Sequence, residues 1–302
     1  MCILLYIDIG KKDLKVYPFK DLPFLYGGAH GIVGIMPSDA HCHPFDMLTS
    51  QPHAEANRRA LDLVVAASSW NASEFSYHEA LAKEAIHNGG PLMALCFGVH
   101  PQLPLAKPDA VNASLDTLYQ SAETGLLSAI GEVGFDFFDE PFRATEFRQE
   151  ELFHLQLNLA IVKGLPLILH LRRAMHKIFR YAKDLARLPA VVFHSYSGTY
   201  EEALALKKRG VRVFCSFGTT IALNHRKTMR ACALLPPEML LFETDAPYQP
   251  LRGKTYSHYE DLFTVVKTAA LLRAEAESSC CTEESLHAIN DTNFKNIFCA
   301  KT

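Results

Sequence analysis

The chain has 302 residues, 49% of them hydrophobic and 21% charged, which is ordinary globular composition. Thirty basic and 33 acidic side chains leave a net charge of −3, so no overall basic charge draws nucleic acid and any polyanion must be gripped by a local patch or by metal ions. Eight cysteines without a CxxC pair read as reduced thiols rather than a disulfide framework, and no apolar run reaches the roughly 18 residues of a membrane helix.

In chain order, residues 1–31 come first. "ILLYIDIGKKDLKVYPF" reads as two strands around the polar turn "GKKD", a β-hairpin-like extension. The opening "MCILLYIDIG" lacks a basic start and a small-residue cleavage site, so no secretory leader and a cytoplasmic location are expected. Eight apolar runs follow, at 32–36, 61–68, 92–99, 126–134, 165–171, 190–195, 211–218 and 239–245. They are near-continuous rather than alternating, as in parallel strands covered on both faces.

Helical patterns lie between them. "SEFSYHEALAKEAIHN" starts with Ser73 as N-cap and stops at Gly89-Gly90. "ATEFRQEELFHLQLNLAIVKG" is amphipathic and ends at Gly164, and "YEEALALKKRG" carries its basic residues in the last turn. The polar stretch 273–285 reads as a surface loop before a final helix. The β-α repeat predicts an α/β fold, a (β/α)₈ TIM barrel formed as one domain by residues 32–302; an open doubly wound sheet is the structural rival.

Chemistry-bearing residues sit at or just after the ends of these runs: His41 and His43 after the first, Glu132 in the fourth, His170 in the fifth, His194 in the sixth, Asp245 in the eighth. In a barrel, strand C-termini share one rim, so four imidazoles and two carboxylates would converge there. His41 and His43, two apart, turn to the same side, while Cys42 packs on the other. One histidine at a strand end is usually structural. Six metal-type side chains at strand ends together favour a metal site.

"DAHCHP", "GVHPQ", "GEVGFDFF", "LPLILHLRRA", "FHSYSG" and "ETDAPY", in that order, resemble the motifs of the TatD-like metal-dependent hydrolases, deoxyribonuclease-type members of the amidohydrolase-like barrels. The likeness runs from about residue 35 to 298, closing on "NFKNIF". It implies a two-metal site: His41, His43, Glu132 and Asp245 on one ion, and Glu132, His170 and His194 on the other, with Glu132 bridging. It also implies 3′-to-5′ trimming of DNA, with single strands or 3′ ends as substrate. The chain departs from the family's pattern in its first 31 residues, in Ser257-His258-Tyr259 where an Asn-x-Pro turn is usual, and in the extra hydroxyl of Ser195.

The expected mechanism is hydrolysis by a metal-bridged hydroxide, with Asp245 as ligand and general base and Glu132 as bridge. His100 and Arg172 are the candidate substrate-binding residues, and Arg252 with Lys254 a possible phosphate patch. Arg173 and Lys177 are expected on a solvated helix face. Asp136 and Asp139 are expected as loop or cap residues, or as contacts to a metal-bound histidine. The ligand types suit two divalent ions, Zn or Mn (or Fe), and the resemblance admits Mg. Neither a membrane nor an obligate protein partner is expected. The alternative is a metal-dependent hydrolase of a small-molecule amide, lactone or phosphoester; a metal-stabilised binding protein is the non-enzymatic rival.

Overall fold

The computed structural model describes residues 3–7, 14–18 and 37–299. Strands β1 (Ile3–Ile7) and β2 (Leu14–Pro18) pair antiparallel, with Leu5 opposite Val16. The expected turn between them and the apolar run 32–36 lie outside the described residues.

The barrel strands are β3 (Ser38–Cys42), β4 (Val64–Ser69), β5 (Met93–Phe97), β6 (Ala129–Asp136), β7 (Leu167–Arg172), β8 (Val191–Phe193), β9 (Val213–Phe217) and β10 (Leu240–Phe242). All are parallel and each pairs with its sequence neighbour, with helices between them. The first barrel strand described is therefore "SDAHC", and His41 sits within it rather than after it.

The two edges meet at a seam. Asp245 N–H donates to His41 O (2.9 Å) and His43 N–H to Ala246 O (2.8 Å). Asp39 reinforces it, its carboxylate accepting from Thr244 N–H (3.0 Å) and Thr244 Oγ1 (2.6 Å). Main-chain donors at a sheet edge must find partners, and this nearly closed barrel supplies them from its own other edge.

Strand alternation sorts the core into two layers. Ala40, Val64, Ala66, Ala94, Cys96, Ile168, Val192, Phe214 and Leu241 fill the interior, packed against Phe294, Ile297 and Phe298 from the chain's end. Val65, Leu95, Phe97, Leu169, Phe193 and Phe242 face the helices. Cys42 belongs to the outer layer although it lies two residues beyond inward-facing Ala40, because the register of β3 on β4 shifts between Asp39 and Cys42. Small side chains fit because eight strands leave an interior only wide enough for side chains.

The long helix Glu146–Lys163 ends on Gly164, whose φ of 63° suits a residue without Cβ. Seven residues apart on one face, its Gln149 and Gln156 clamp two strand ends. Gln149 Oε1 accepts from Asp136 N–H (2.8 Å) and Gln156 Oε1 from Val99 N–H (2.6 Å), and each amide donates back to the same residue's carbonyl. These two pairs of bonds fix the end of β6, which carries Asp136, and the segment after β5 that leads to His100.

Two expectations need correction. The helix over 72–88 starts two residues earlier than predicted, and its N-cap is Asn71, whose side chain accepts from Glu74 N–H. Asn71 outcompetes Ser73 because it is the last extended residue, which is the geometry a cap needs. Residues 273–275 and 283–285 are not loop: helix Asp261–Glu275 runs through the first and helix Glu283–Phe294 begins with the second. Arg273 is buried and donates to the carbonyls of Cys232, Ala233, Leu235, Ser279 and Cys280, so its charge terminates a neighbouring helix. No helix among the described residues is long and apolar enough to cross a membrane.

Candidate metal centre

Inward parity continues from the barrel interior to its mouth. His170 lies two residues beyond Ile168, His194 two beyond Val192, and Glu243 two beyond Leu241. The six sequence-predicted ligands converge there.

Four atoms form one group. His41 Nε2 lies 3.2 Å from His43 Nε2, 3.3 Å from Glu132 Oε1 and 3.7 Å from Asp245 Oδ1. His43 Nε2 lies 3.3 Å from both Glu132 Oε1 and Asp245 Oδ1. A ring nitrogen has one lobe, for a proton or a lone pair, and cannot answer three partners at once. A central cation can. Tetrahedral ligands at about 2.1 Å from an ion stand about 3.4 Å apart, which is the spacing found here.

The other oxygen of Glu132 faces a second group. Oε2 is 2.9 Å from His194 Nε2, 3.2 Å from His170 Nδ1 and 3.6 Å from His100 Nε2. His170 Nδ1 and His194 Nε2 are 3.1 Å apart. Glu132 thus divides its oxygens between two clusters. Gly131 and Gly134 let it enter: a Cβ on Gly131 would meet Ile168 Cβ at 2.4 Å, and one on Gly134 would meet His170 O at 2.4 Å.

Outer partners settle which nitrogen faces inward. His170 Nε2 lies 3.1 Å from Asp136 Oδ2, an acceptor, so its proton belongs there and the Nδ1 lone pair points into the site. His194 Nδ1 faces Glu243 Oε1 at 3.6 Å, beyond hydrogen-bond distance but close enough for the carboxylate to favour positive charge on that side of the ring, while Nε2 faces the site. His100 is reversed. Gln102 N–H donates to its Nδ1 (3.2 Å), so the neutral ring carries its proton on Nε2 and presents a donor.

Charge follows this geometry. Burial opposes ionisation of Glu132, but the imidazoles of His194, His41 and His100 hold it well below the usual carboxylate range. Burial likewise opposes a charged His43, yet Asp245 and Glu132 raise it to about 9. His194 and His170 are raised against the same burial by Glu132 and, respectively, Glu243 and Asp136. Burial and the neighbouring His170 lower His100. The centre holds ionised carboxylates around rings that attract positive charge.

Asp245 is held from behind. Gln249 Nε2 donates to Asp245 Oδ2 (2.5 Å) and to Ser195 Oγ (2.5 Å). All three residues have left-handed backbone, with φ of 52°, 52° and 47° for Asp245, Gln249 and Ser195. Such strain in non-glycine residues collects where a site needs it. Below His43, His78 Nε2 accepts from Phe45 N–H (3.1 Å) while burial drops its pKa to about 3, fixing the turn after the paired histidines.

The other candidates divide. Arg172 does end β7, and its Nη1 lies 3.7 Å from Asp136 Oδ2. Asp136 orients His170, and Asp139 caps the short helix Glu140–Arg143. Arg173 is exposed and donates to Phe138 O (2.6 Å). Lys177 is not on a solvated face. It is buried between Glu146 (2.8 Å) and Glu150 (2.7 Å), carboxylates one turn apart on the long helix. Lys254 pairs with Asp261, so only Arg252 of that patch is exposed without such a contact among the described ion pairs. Asp39, Glu243 and Gln249 were not singled out from sequence. Asp39 and Glu243 each precede a candidate ligand by two residues, a usable signal in the sequence.

Residues 38–299 match the family model described as TatD related DNase. An uncharacterized metal-dependent hydrolase of Methanocaldococcus jannaschii is 31% identical over 261 residues, 85% of this chain and 94% of that protein. A protein of Escherichia fergusonii named 3′-5′ ssDNA/RNA exonuclease TatD is 31% identical over 208 residues, 67% of this chain and 76% of its own length. The crystal structure of YjjV, a TatD homologue from Escherichia coli, superposes with a TM-score of 0.72 at 28% identity, covering 89% of this chain and all of that one. A barrel mouth with four histidines and two carboxylates, together with a family match over residues 38–299, establishes the chain as a member of the TatD-related DNase family of metal-dependent hydrolases.

Proposed function

We propose that this hydrolase is a 3′-to-5′ exonuclease that cleaves phosphodiester bonds of DNA at a pair of divalent cations. The observation that carries the reading is the division of Glu132: Oε1 among His41, His43 and Asp245, and Oε2 among His170 and His194. Two ions would fit this arrangement, with His41, His43, Glu132 and Asp245 holding the first and Glu132, His170 and His194 the second. Imidazole and carboxylate donors favour Zn or Mn, and Mg is compatible with the carboxylates. When bound, such a pair supplies the positive charge that acidifies water and stabilises both the attacking and the leaving oxygen.

The chain's own residues do the rest. Asp245, ionised and held through Oδ2 by Gln249, keeps Oδ1 toward the site and accepts the proton of the attacking water. His100, neutral and with Nε2–H directed inward, donates to a phosphate oxygen, a role its tautomer fits better than metal ligation. Arg172, exposed at the mouth, binds a flanking phosphate with the donors that Asp136 does not engage. The name of the Escherichia fergusonii relative supports a nucleic-acid substrate.

The test is degradation of a labelled single-stranded oligodeoxynucleotide in Mn²⁺, beside a panel of small amides, lactones and phosphoesters. Stepwise shortening from the 3′ end by the wild type, abolished in Glu132→Ala, is expected. Turnover of a small substrate with the strand left intact would replace this reading with that of a small-molecule hydrolase.

A further inference from the structure

Phe138 is 44% exposed at the barrel mouth, one of the few large aromatic rings left open to solvent. Its ring is not bare. The Arg172 guanidinium lies 4.0 Å from its centroid and that of Arg173 5.2 Å away. Arg172 is itself 43% exposed, and Asp136 steadies it from the other side at 3.7 Å. The same Asp136 oxygen is 3.1 Å from His170 Nε2. One carboxylate thus ties an exposed aromatic–guanidinium plate to a ring of the candidate metal centre. Arg173, donating to Phe138 O at 2.6 Å, fixes the backbone beneath the plate.

Single exposed apolar residues are common and need no explanation. This one differs because a planar cation is laid against it, and both groups stay open where a substrate must enter. Flat π-surfaces beside guanidinium groups are what unpaired nucleobases stack on, and the cation also attracts the phosphate attached to the base. A base inside a duplex has both faces covered by its neighbours and cannot use such a plate.

Resting on the nuclease reading, we infer that Phe138 and Arg172 form a nucleobase-stacking subsite that holds one unpaired nucleotide next to the scissile phosphate. It selects for an unpaired base and is indifferent to which base, because every base offers a π-face.

The test compares a short 5′-labelled single strand with strands in which a tetrahydrofuran residue replaces the base at each position near the 3′ end in turn. All are assayed in Mn²⁺ with wild type, F138A and F138W. At the position that meets the plate, the wild type is expected to cleave the intact strand about tenfold more efficiently than the abasic one. F138W should keep that ratio and F138A should bring it close to one. Equal wild-type rates at every position, or a ratio that survives in F138A, would overturn the subsite while leaving the nuclease reading intact. A wild type that degrades none of the strands overturns the nuclease reading and the subsite with it.

Discussion

Gln249 donates its side-chain amide to Asp245 Oδ2 at 2.5 Å, while Asp245 Oδ1 stands 3.3 Å from His43 Nε2. One carboxylate oxygen is committed to the protein so that the other faces the site. A hydrogen bond to a charged group contributes about 1.5–3 kcal/mol. Gln249→Leu should therefore lower Mn²⁺ affinity and kcat by roughly ten- to a hundredfold with the fold intact. Metal titration and steady-state kinetics check this, and unchanged values for both would show that Asp245 needs no anchor.

Glu132 is the side chain common to both groups. Glu132→Gln removes the charge and keeps the shape. Loss of several kcal/mol of charge stabilisation corresponds to about a thousandfold in rate or more. Elemental analysis of the purified variant should find less metal per chain. Full metal content with full rate would refute the bridging role.

Metal uptake should depend on pH. The neighbouring carboxylates raise His43 to about 9 and raise His170 and His194 as well, so below that range these rings hold protons that an incoming cation must displace. Raised values mean that protons compete at low pH. Affinity should thus climb as pH increases from about 6 toward 9, with protons released on binding. Calorimetry in buffers of different ionisation enthalpy measures that release; an enthalpy independent of buffer would contradict it.

Asp136 supports the second group alone. Its carboxylate, lowered to about 2 by the His170 contact in spite of its burial, orients that ring. Asp136→Asn should weaken metal binding about ten- to a hundredfold at the second group and leave the His41–His43 group less affected. Two separable steps in a titration would reveal the difference, whereas equal weakening of both steps would not fit.

Arg273 is a matter of stability rather than chemistry. Replacing it with Met strands carbonyls at the end of helix Arg226–Leu234, each an acceptor buried without a partner. A loss of about 3 kcal/mol or more is expected from the denaturant midpoint. A variant as stable as the wild type would mean that water replaces the guanidinium.

The barrel and the convergence of six candidate ligands at its mouth are legible because two simple periodicities carry them. Near-continuous apolar runs marked seven of the eight barrel strands, and the residues ending those runs marked the mouth. Glu243 lies two residues before Asp245 and shares its inward parity, whereas a register shift in β3 separates Asp39 from the alternation of His41 and His43. What stayed hidden depends on partners far apart in sequence. Lys177 looked solvated because the carboxylates that bury it, Glu146 and Glu150, belong to another helix. Arg273 looked like loop because its acceptors are backbone carbonyls, which no side-chain pattern reports. Gln249 and His78 are polar residues of ordinary appearance, and only the geometry around Asp245 and Phe45 gives them a role.

The seam at which the barrel's two edges meet has a temporal corollary. His41 and His43 leave the ribosome early and Asp245 some two hundred positions later, yet Asp245 and His41 are locked together by the main-chain bond that joins the edges. A nascent or proteolytically shortened chain without that last stretch holds incomplete pincers. Closing the sheet and completing the first candidate group are thus one event, since the stretch around Asp245 supplies both the edge bond and the second carboxylate.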